Sequence, residues 1–207
     1  MPENQAEAGA GFRFGAVILA AGGSSRMGAV KQLIMLGGVP LVARAVDAAL
    51  GSAARPVVVV LGARAERVRA PISGKPVTIV LNPDWDSGMA SSVRAGMAAL
   101  LGAEPALDAV LLAPCDQPAL SAQIIDALAR LHRESGRTAA ARFSGRNGAP
   151  AVFGRGHFGA LLALSGDEGA RGILNSGSEE VSTIELPDLA LDLDTPADVR
   201  RWAGTGR

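Results

Sequence analysis

The sequence predicts an α/β domain built on a mostly parallel sheet with helices on both faces. Apolar runs alternate with helical patterns along the chain, and those runs are hydrophobic almost continuously instead of at every second residue. A strand with one wet face alternates, whereas a strand covered on both faces does not. Continuous strands therefore point to a parallel sheet enclosed by crossover helices. Size gives a third indication: 207 residues suit one hydrophobic core. The polar stretch 1–11 is expected as a disordered leader before a single domain spanning 12–207.

Four strands are expected before the late, weaker part of the chain, at 14–20, 56–61, 77–81 and 109–113, each almost continuously hydrophobic and so buried on both faces. Helical spacing lies between them. Pro40 stands at a favoured first-turn position, and Val42, Ala45, Val46 and Ala49 then share one face. A second helix is expected over 88–101, with Met89, Val93, Met97 and Leu100 inward and Asp86 or Ser87 as its cap. A third begins at Ser121, whose hydroxyl can accept from free N–H groups while Leu120 and Ile125 staple the entry. Beyond Thr138 the pattern weakens to shorter strands around 149–153 and 181–185, with a short capped helix after Gly166.

Composition narrows the function. Hydrophobic residues make up 48% of the chain and aromatic residues 3%, so Ala, Val and Leu must fill the interior. Lys plus Arg and Asp plus Glu both number 20, which leaves no net field to attract nucleic acid or an anionic membrane. An anionic ligand must be handled by groups placed locally. The lone Cys115 cannot form an internal disulfide. No apolar run is long enough to span a membrane, and the leader carries no basic signal-peptide region, so a cytoplasmic location is expected.

The segment with most chemical content reads LAAGGSSRMG over 19–28 and is followed by Lys31. A buried strand ends at Ala20, and glycines and serines fill the turn behind it. Glycine permits close approach of a ligand to the backbone, and successive N–H groups in such a turn cradle an anion. Arg26 and Lys31 add the positive charge that the chain as a whole lacks. The pattern is neither a Walker-type phosphate loop nor a dinucleotide fingerprint. Without a ligand it would be a plain strand-to-helix connection. Strand ends of open sheets are, however, where ligands bind.

Carboxylates form the second group. Asp116 lies between Pro114 and Pro118 at the end of the fourth buried strand, on the same sheet edge as the glycine turn. It either helps to hold a divalent cation, which takes few carboxylates plus phosphate oxygens and waters, or only stabilises its turn. Asp192 and Asp194 share one face of a short strand, and one of them is a candidate second metal ligand. Thr195, Pro196 and Asp198 are explained by capping of a final helix. Ser91 and Ser92 fall near the positive end of the helix expected after Ser87, and Arg94 is read as either functional or superficial. The stretches 146–153 and 166–171 are glycine-rich loops. Neither His132 nor His157 has partners at zinc spacing, and no nucleophile elbow occurs.

Taken in order, LAAGGSSRMG with KQL, NPDWDSGMASSVRAG, PCDQP, GAPAVF, GDEGARGIL and DLDTPAD resemble the molybdopterin nucleotidyltransferase-like family, most of all its cytidylyltransferase branch. The resemblance runs from about Phe14 to Trp202. It implies a three-layer Rossmann-like nucleotidyltransferase fold with a mostly parallel mixed sheet, and Mg²⁺-dependent transfer of a nucleotidyl group with release of pyrophosphate. On that basis Leu19, Ala20, Ala21, Gly22, Gly23, Ser24 and Ser25 would surround the triphosphate, with Arg26 and Lys31 neutralising it. Gly62, Asn82, Ser91 and Ser92 would lie by the base and ribose. Asp116 would hold Mg²⁺, completed by Asp192 or Asp194, so that Arg26, Lys31 and Asp116 form the catalytic set. Asn147, Gly148, Pro150, Asp167 and Arg171 would face the acceptor.

The implied reaction joins CMP from CTP to the terminal phosphate of molybdopterin. That phosphate has a second pKa of roughly 6, is largely dianionic at neutral pH, and needs no general base. Alternatives are GTP as donor, a different phosphate acceptor, or a carrier that delivers the pterin cofactor to an apo-molybdoenzyme. The chain departs from the family at Ala149, where cytidylyltransferases often carry His between the Gly and the Pro. That departure bears on the acceptor and leaves the transfer chemistry untouched.

Overall fold

The computed structural model describes residues 11–23, 30–167, 169–175, 177 and 181–190. Its frame is a sheet assembled from β1 (Phe14–Ala20), β4 (Val57–Leu61), β5 (Thr78–Leu81), β6 (Ala109–Pro114), β7 (Ala139–Phe143), β8 (Arg146–Gly154) and β9 (Ser182–Glu185). Their order is β5-β4-β1-β6-β8-β7-β9. β1 pairs in parallel with both β4 and β6, β4 with β5, and β7 with β9, while β8 runs against β6 and β7. The sheet is therefore mostly parallel and mixed, as expected. A small antiparallel hairpin, β2 (Met35–Leu36) and β3 (Val39–Pro40), stands apart from it.

Helices cover both faces because each central strand sends successive side chains to opposite sides. Ala16, Ile18, Val59 and Leu111 pack towards Val42, Val46 and Ala49 of α1 (Leu41–Gly51) and Ile125 and Leu128 of α4 (Ala122–Ser135). Val17, Val58, Val60, Val110 and Leu112 pack towards Val93, Met97 and Leu100 of α3 (Met89–Ala103) and Leu161 of α5 (Phe158–Leu162). Three layers result. With few aromatics available, small residues bring the layers close: a Cβ on Gly96 of α3 would collide with Val17 and Val60. Two further short α-helices are α2 (Ala65–Arg69) and α6 (Arg171–Asn175).

Several expectations change on contact with the fold. β5 was expected to be buried on both faces, but it is an edge strand whose Leu81 is 55% exposed. Ser121 does cap α4, its hydroxyl accepting from the Ile124 N–H at 3.3 Å. Neither Asp86 nor Ser87 caps α3. Gly88 occupies that position with φ of 113°, and the carbonyl of Gly166 accepts from the Ala90 N–H at 3.1 Å. Pro40 sits one position earlier than expected, at the N-cap of α1.

The strand expected around 149–153 is present but longer: β8 begins at Arg146 and takes in 146–148, which was read as glycine-rich loop. The register of β7 against β8 jumps between Ala140↔Ala151 and Ala141↔Gly148, so Ala149 and Pro150 bulge out of the ladder. A proline inside a sheet is tolerated at such a bulge, where no ladder N–H is needed. The leader before Gly11 and the Asp192–Asp198 segment lie outside the described residues.

Candidate active site

β1 lies at the point where the chain reverses its direction of travel across the sheet. The strands after it build outwards through β4 and β5, and the chain then returns to add β6 on the other side of β1. Such a switch opens a crevice beyond the carboxyl ends of the strands. Leu19 is in register with Pro114, and the Cys115 N–H donates to the Leu19 carbonyl at 3.1 Å. This pairing sets the turn after β1 beside the turn after β6. A cleft of about 550 Å³ occupies the crevice.

Within it, Lys31 Nζ donates to Asp116 Oδ2 at 3.0 Å, with both side chains partly buried. Leu19, Ala20, Ala21, Gly22 and Gly23 line the same cleft, in line with the order in which the sequence presents them. Ser24, Ser25 and Arg26 lie outside the described residues. A residue not foreseen by sequence reading organises the turn. Gln32 is buried, and its side-chain amide donates to the carbonyls of Gly22 at 2.7 Å and Ala20 at 3.2 Å. Its only local signal is an amide standing at the head of the apolar run 33–36.

Trp85 is the second unforeseen residue. A Cβ on Gly23 would come within 2.8 Å of its indole, and one on Gly62 within 2.5 Å of its Cβ and 2.7 Å of the Ala21 carbonyl. The two glycines thus leave the space that lets Trp85 lie against the turn. Gly62 supports the cleft from behind and is absent from its lining, whereas Trp85, Asp86, Gly88 and Met89 are part of it.

Asn82, Ser91 and Ser92, which the resemblance groups by the base and ribose, do come together, but mainly with one another. The Asn82 amide donates to Ser91 Oγ at 2.8 Å and to Ser92 Oγ at 3.0 Å, and its Oδ1 accepts from the Asp84 N–H. The single Ser91 hydroxyl proton is in turn within reach of the carbonyls of Asp84 and Gly88, either of which can accept it. The network fixes the connection between β5 and α3. Of these three residues, Ser92 lines the cleft.

The five residues expected at the acceptor separate. Asp167 lines the cleft; Asn147, Gly148, Pro150 and Arg171 do not. Asn147 bonds the Leu174 carbonyl at 3.2 Å and so anchors α6 to β8. Gly148 leaves space for the Phe143 ring, and Pro150 is buried in the bulge. The bulge is still linked to the site, because the Gln117 amide donates to the Ala149 carbonyl at 2.7 Å, one residue from Asp116.

Cys115 lines the cleft but is buried. Desolvation, and then the negative charge of neighbouring Asp116, push its thiol far above the usual range. It remains protonated and is no nucleophile at neutral pH. For a metal, the donor chemistry fits a hard divalent cation: Asp116 offers one carboxylate, and Mg²⁺ is commonly held by one or two carboxylates with phosphate oxygens and waters. Among the described residues, no cluster of three or more His, Cys, Asp or Glu side chains gathers around a cation position.

A mostly parallel three-layer sheet, a glycine turn at its switch point and a Lys–Asp pair across the crevice define a Rossmann-like nucleotidyltransferase architecture. The model of the MobA-like NTP transferase domain matches residues 16–181, and the chain belongs to that family. It is 37% identical to nicotine blue oxidoreductase of Paenarthrobacter nicotinovorans, covering 89% of this chain and 94% of that protein. It is 30% identical to molybdenum cofactor guanylyltransferase of Rhodobacter capsulatus, covering 92% and 95% respectively. A crystal structure of the Rv0371c homologue from Mycobacterium sp. strain JC1 superposes with a TM-score of 0.80 at 32% identity, covering 93% of this chain and 96% of the other. No helix among the described residues is long and apolar enough to cross a membrane.

Proposed function

We propose that the chain transfers CMP from CTP to the terminal phosphate of a molybdopterin-type acceptor, releasing pyrophosphate. The observation that carries the reading is the ion pair of Lys31 and Asp116 facing the glycine turn across one cleft. It sets a cation and a metal-type carboxylate beside a backbone suited to phosphates, which is the minimum that nucleotidyl transfer requires. The name of the Rhodobacter relative supports an acceptor of the molybdenum cofactor type.

The roles follow from the groups. Backbone N–H groups from Ala21 to Ser25 receive the triphosphate, and Lys31 and Arg26 neutralise it. Asp116, with Asp192 or Asp194, would hold Mg²⁺. Bound there, Mg²⁺ would spread the charge of the phosphates. The acceptor phosphate dianion attacks the α-phosphorus, the bond to the β-phosphate oxygen breaks, and pyrophosphate leaves with its electron pair. Positioning and electrostatics suffice for such a step. Gly62, Asn82, Ser91 and Ser92 shape the base and ribose side, and Asp167 contributes to the acceptor side, with Asn147, Gly148, Pro150 and Arg171 supporting it. The compartment proposed is the cytoplasm, and an apo-molybdoenzyme is the proposed recipient of the product.

A second reading exchanges the donor. GTP is favoured by one specific observation, the guanylyltransferase name of the Rhodobacter relative. The test is pyrophosphate release with each of the four nucleoside triphosphates, with and without molybdopterin. Release with CTP and molybdopterin together is the expected result, and release with GTP alone among the nucleotides moves the donor to guanosine. No release with any nucleotide overturns the reading and makes the oxidoreductase activity named for the Paenarthrobacter relative the next to assay.

A further inference from the structure

We infer that Arg94 is a positioning residue for the acceptor wall of the cleft, acting through the segment 164–167. The inference rests on the reading of Asp167 as an acceptor-side group. Arg94 is half-buried on α3, and its guanidinium donates to the Leu164 carbonyl, just beyond α5. One turn earlier on the same helix face, the Ala90 N–H donates to the Gly166 carbonyl at 3.1 Å. Two donors at i and i+4 therefore hold carbonyls two residues apart on one exposed stretch.

The helix entry is shaped to receive that stretch. A Cβ on Gly88 would lie 2.5 Å from the Gly166 carbonyl oxygen and 2.6 Å from Asp167 Oδ1. Gly169, the next described residue, is left without a side chain where the Met89 thioether packs, 2.8 Å from where its Cβ would stand. Gly88, Met89, Ala90 and Arg94 together form one seat. The consequence is local to the site: Asp167 faces the cleft that Lys31 and Asp116 share. Its carboxylate has no hydrogen-bond or ion-pair partner among the described residues, and among them its placement comes from the backbone contacts of Gly166 and Leu164. Ser165, Gly166 and Asp167 are exposed and only Leu164 is partly buried against the core, so the Arg94 bond is one of the few contacts that keep the segment in place.

The test compares full-length wild type, Arg94→Ala and Arg94→Lys by amide hydrogen exchange and by steady-state kinetics. Arg94→Ala is expected to speed exchange over 162–167 by roughly tenfold, with peptides around Lys31 and Asp116 unchanged. Arg94→Lys, which keeps one donor, restores part of the protection. With CTP and molybdopterin, the acceptor KM rises by about tenfold while kcat and the CTP dissociation constant hold. Asp167→Asn raises the same KM, and adding it to Arg94→Ala raises it no further. Unchanged exchange overturns the inference, as does faster exchange throughout the molecule or an unmoved acceptor KM. If wild type releases no pyrophosphate, the proposed function fails, and the exchange comparison alone still decides whether Arg94 seats the segment.

Discussion

Lys31 Nζ meets Asp116 Oδ2 at 3.0 Å although 85 positions of sequence separate them. The parallel pairing of β1 with β6 makes this possible, since it fixes both turns at the same height on the sheet edge. A partly exposed ion pair of this kind adds only about 0–1 kcal/mol to stability, so its value lies in the site.

Lys31→Ala and Asp116→Asn are each expected to lower turnover by about 10²–10³-fold, roughly 3–4 kcal/mol of transition-state stabilisation. Pyrophosphate release measures the loss, and thermal melting should shift by only a few degrees. Full activity in either folded variant would remove the pair from the mechanism.

Gln32→Ala should act on stability and on nucleotide affinity together. It strips the carbonyls of Ala20 and Gly22 of a buried donor, at a cost of about 1–3 kcal/mol. Urea unfolding gives the first quantity and titration with CTP the second. Loss of stability with unchanged affinity would mean that Gln32 braces the core and leaves the turn's shape alone.

Two glycine variants separate packing from ligand approach. Gly62→Ala forces a methyl against Trp85 and the Ala21 carbonyl, and should cost about 1–3 kcal/mol and alter tryptophan emission. Gly22 has open space around its Cβ position. Gly22→Ala should therefore leave stability within about 0.5 kcal/mol and weaken nucleotide binding by tenfold or more. Equal binding by Gly22→Ala and wild type would place the triphosphate elsewhere.

Cys115 should resist alkylation in the native protein at pH 8 and react quickly once unfolded. Its folded pKa lies above the ordinary value of 9.0. The resulting stabilisation is complete below that ordinary value and declines as pH rises past it, where the unfolded thiol ionises and the folded one does not. Rapid native labelling by iodoacetamide would contradict the burial that raises it.

Much of the frame was legible because its causes are local. β1, β4 and β6 are enclosed on both faces and so read as unbroken apolar runs, and Ser121 announces α4 through its own hydroxyl. β8 was legible only in its second part, around 149–153, because a glycine and a proline depress strand propensity at its start and the bulge that admits Pro150 exists only against β7. The edge position of β5 was hidden for a related reason. Its composition matches that of a central strand, and only the order of the sheet leaves one side uncovered.

The site divides along the same line. The sequence by itself determined the glycine turn, the cation at Lys31 and the carboxylate at Asp116, because residue type and strand ends are enough to mark them. The tertiary structure alone decided which of these meet. It joined Lys31 to Asp116 through cross-strand register, set Gln32 and Trp85 against the turn, and brought Asp167 into the cleft while leaving Asn147 and Arg171 outside it. Apart from Gln32, which lies 10 and 12 positions from its partners, those outcomes depend on contacts between elements tens of residues apart, and no local pattern of side chains encodes such distances.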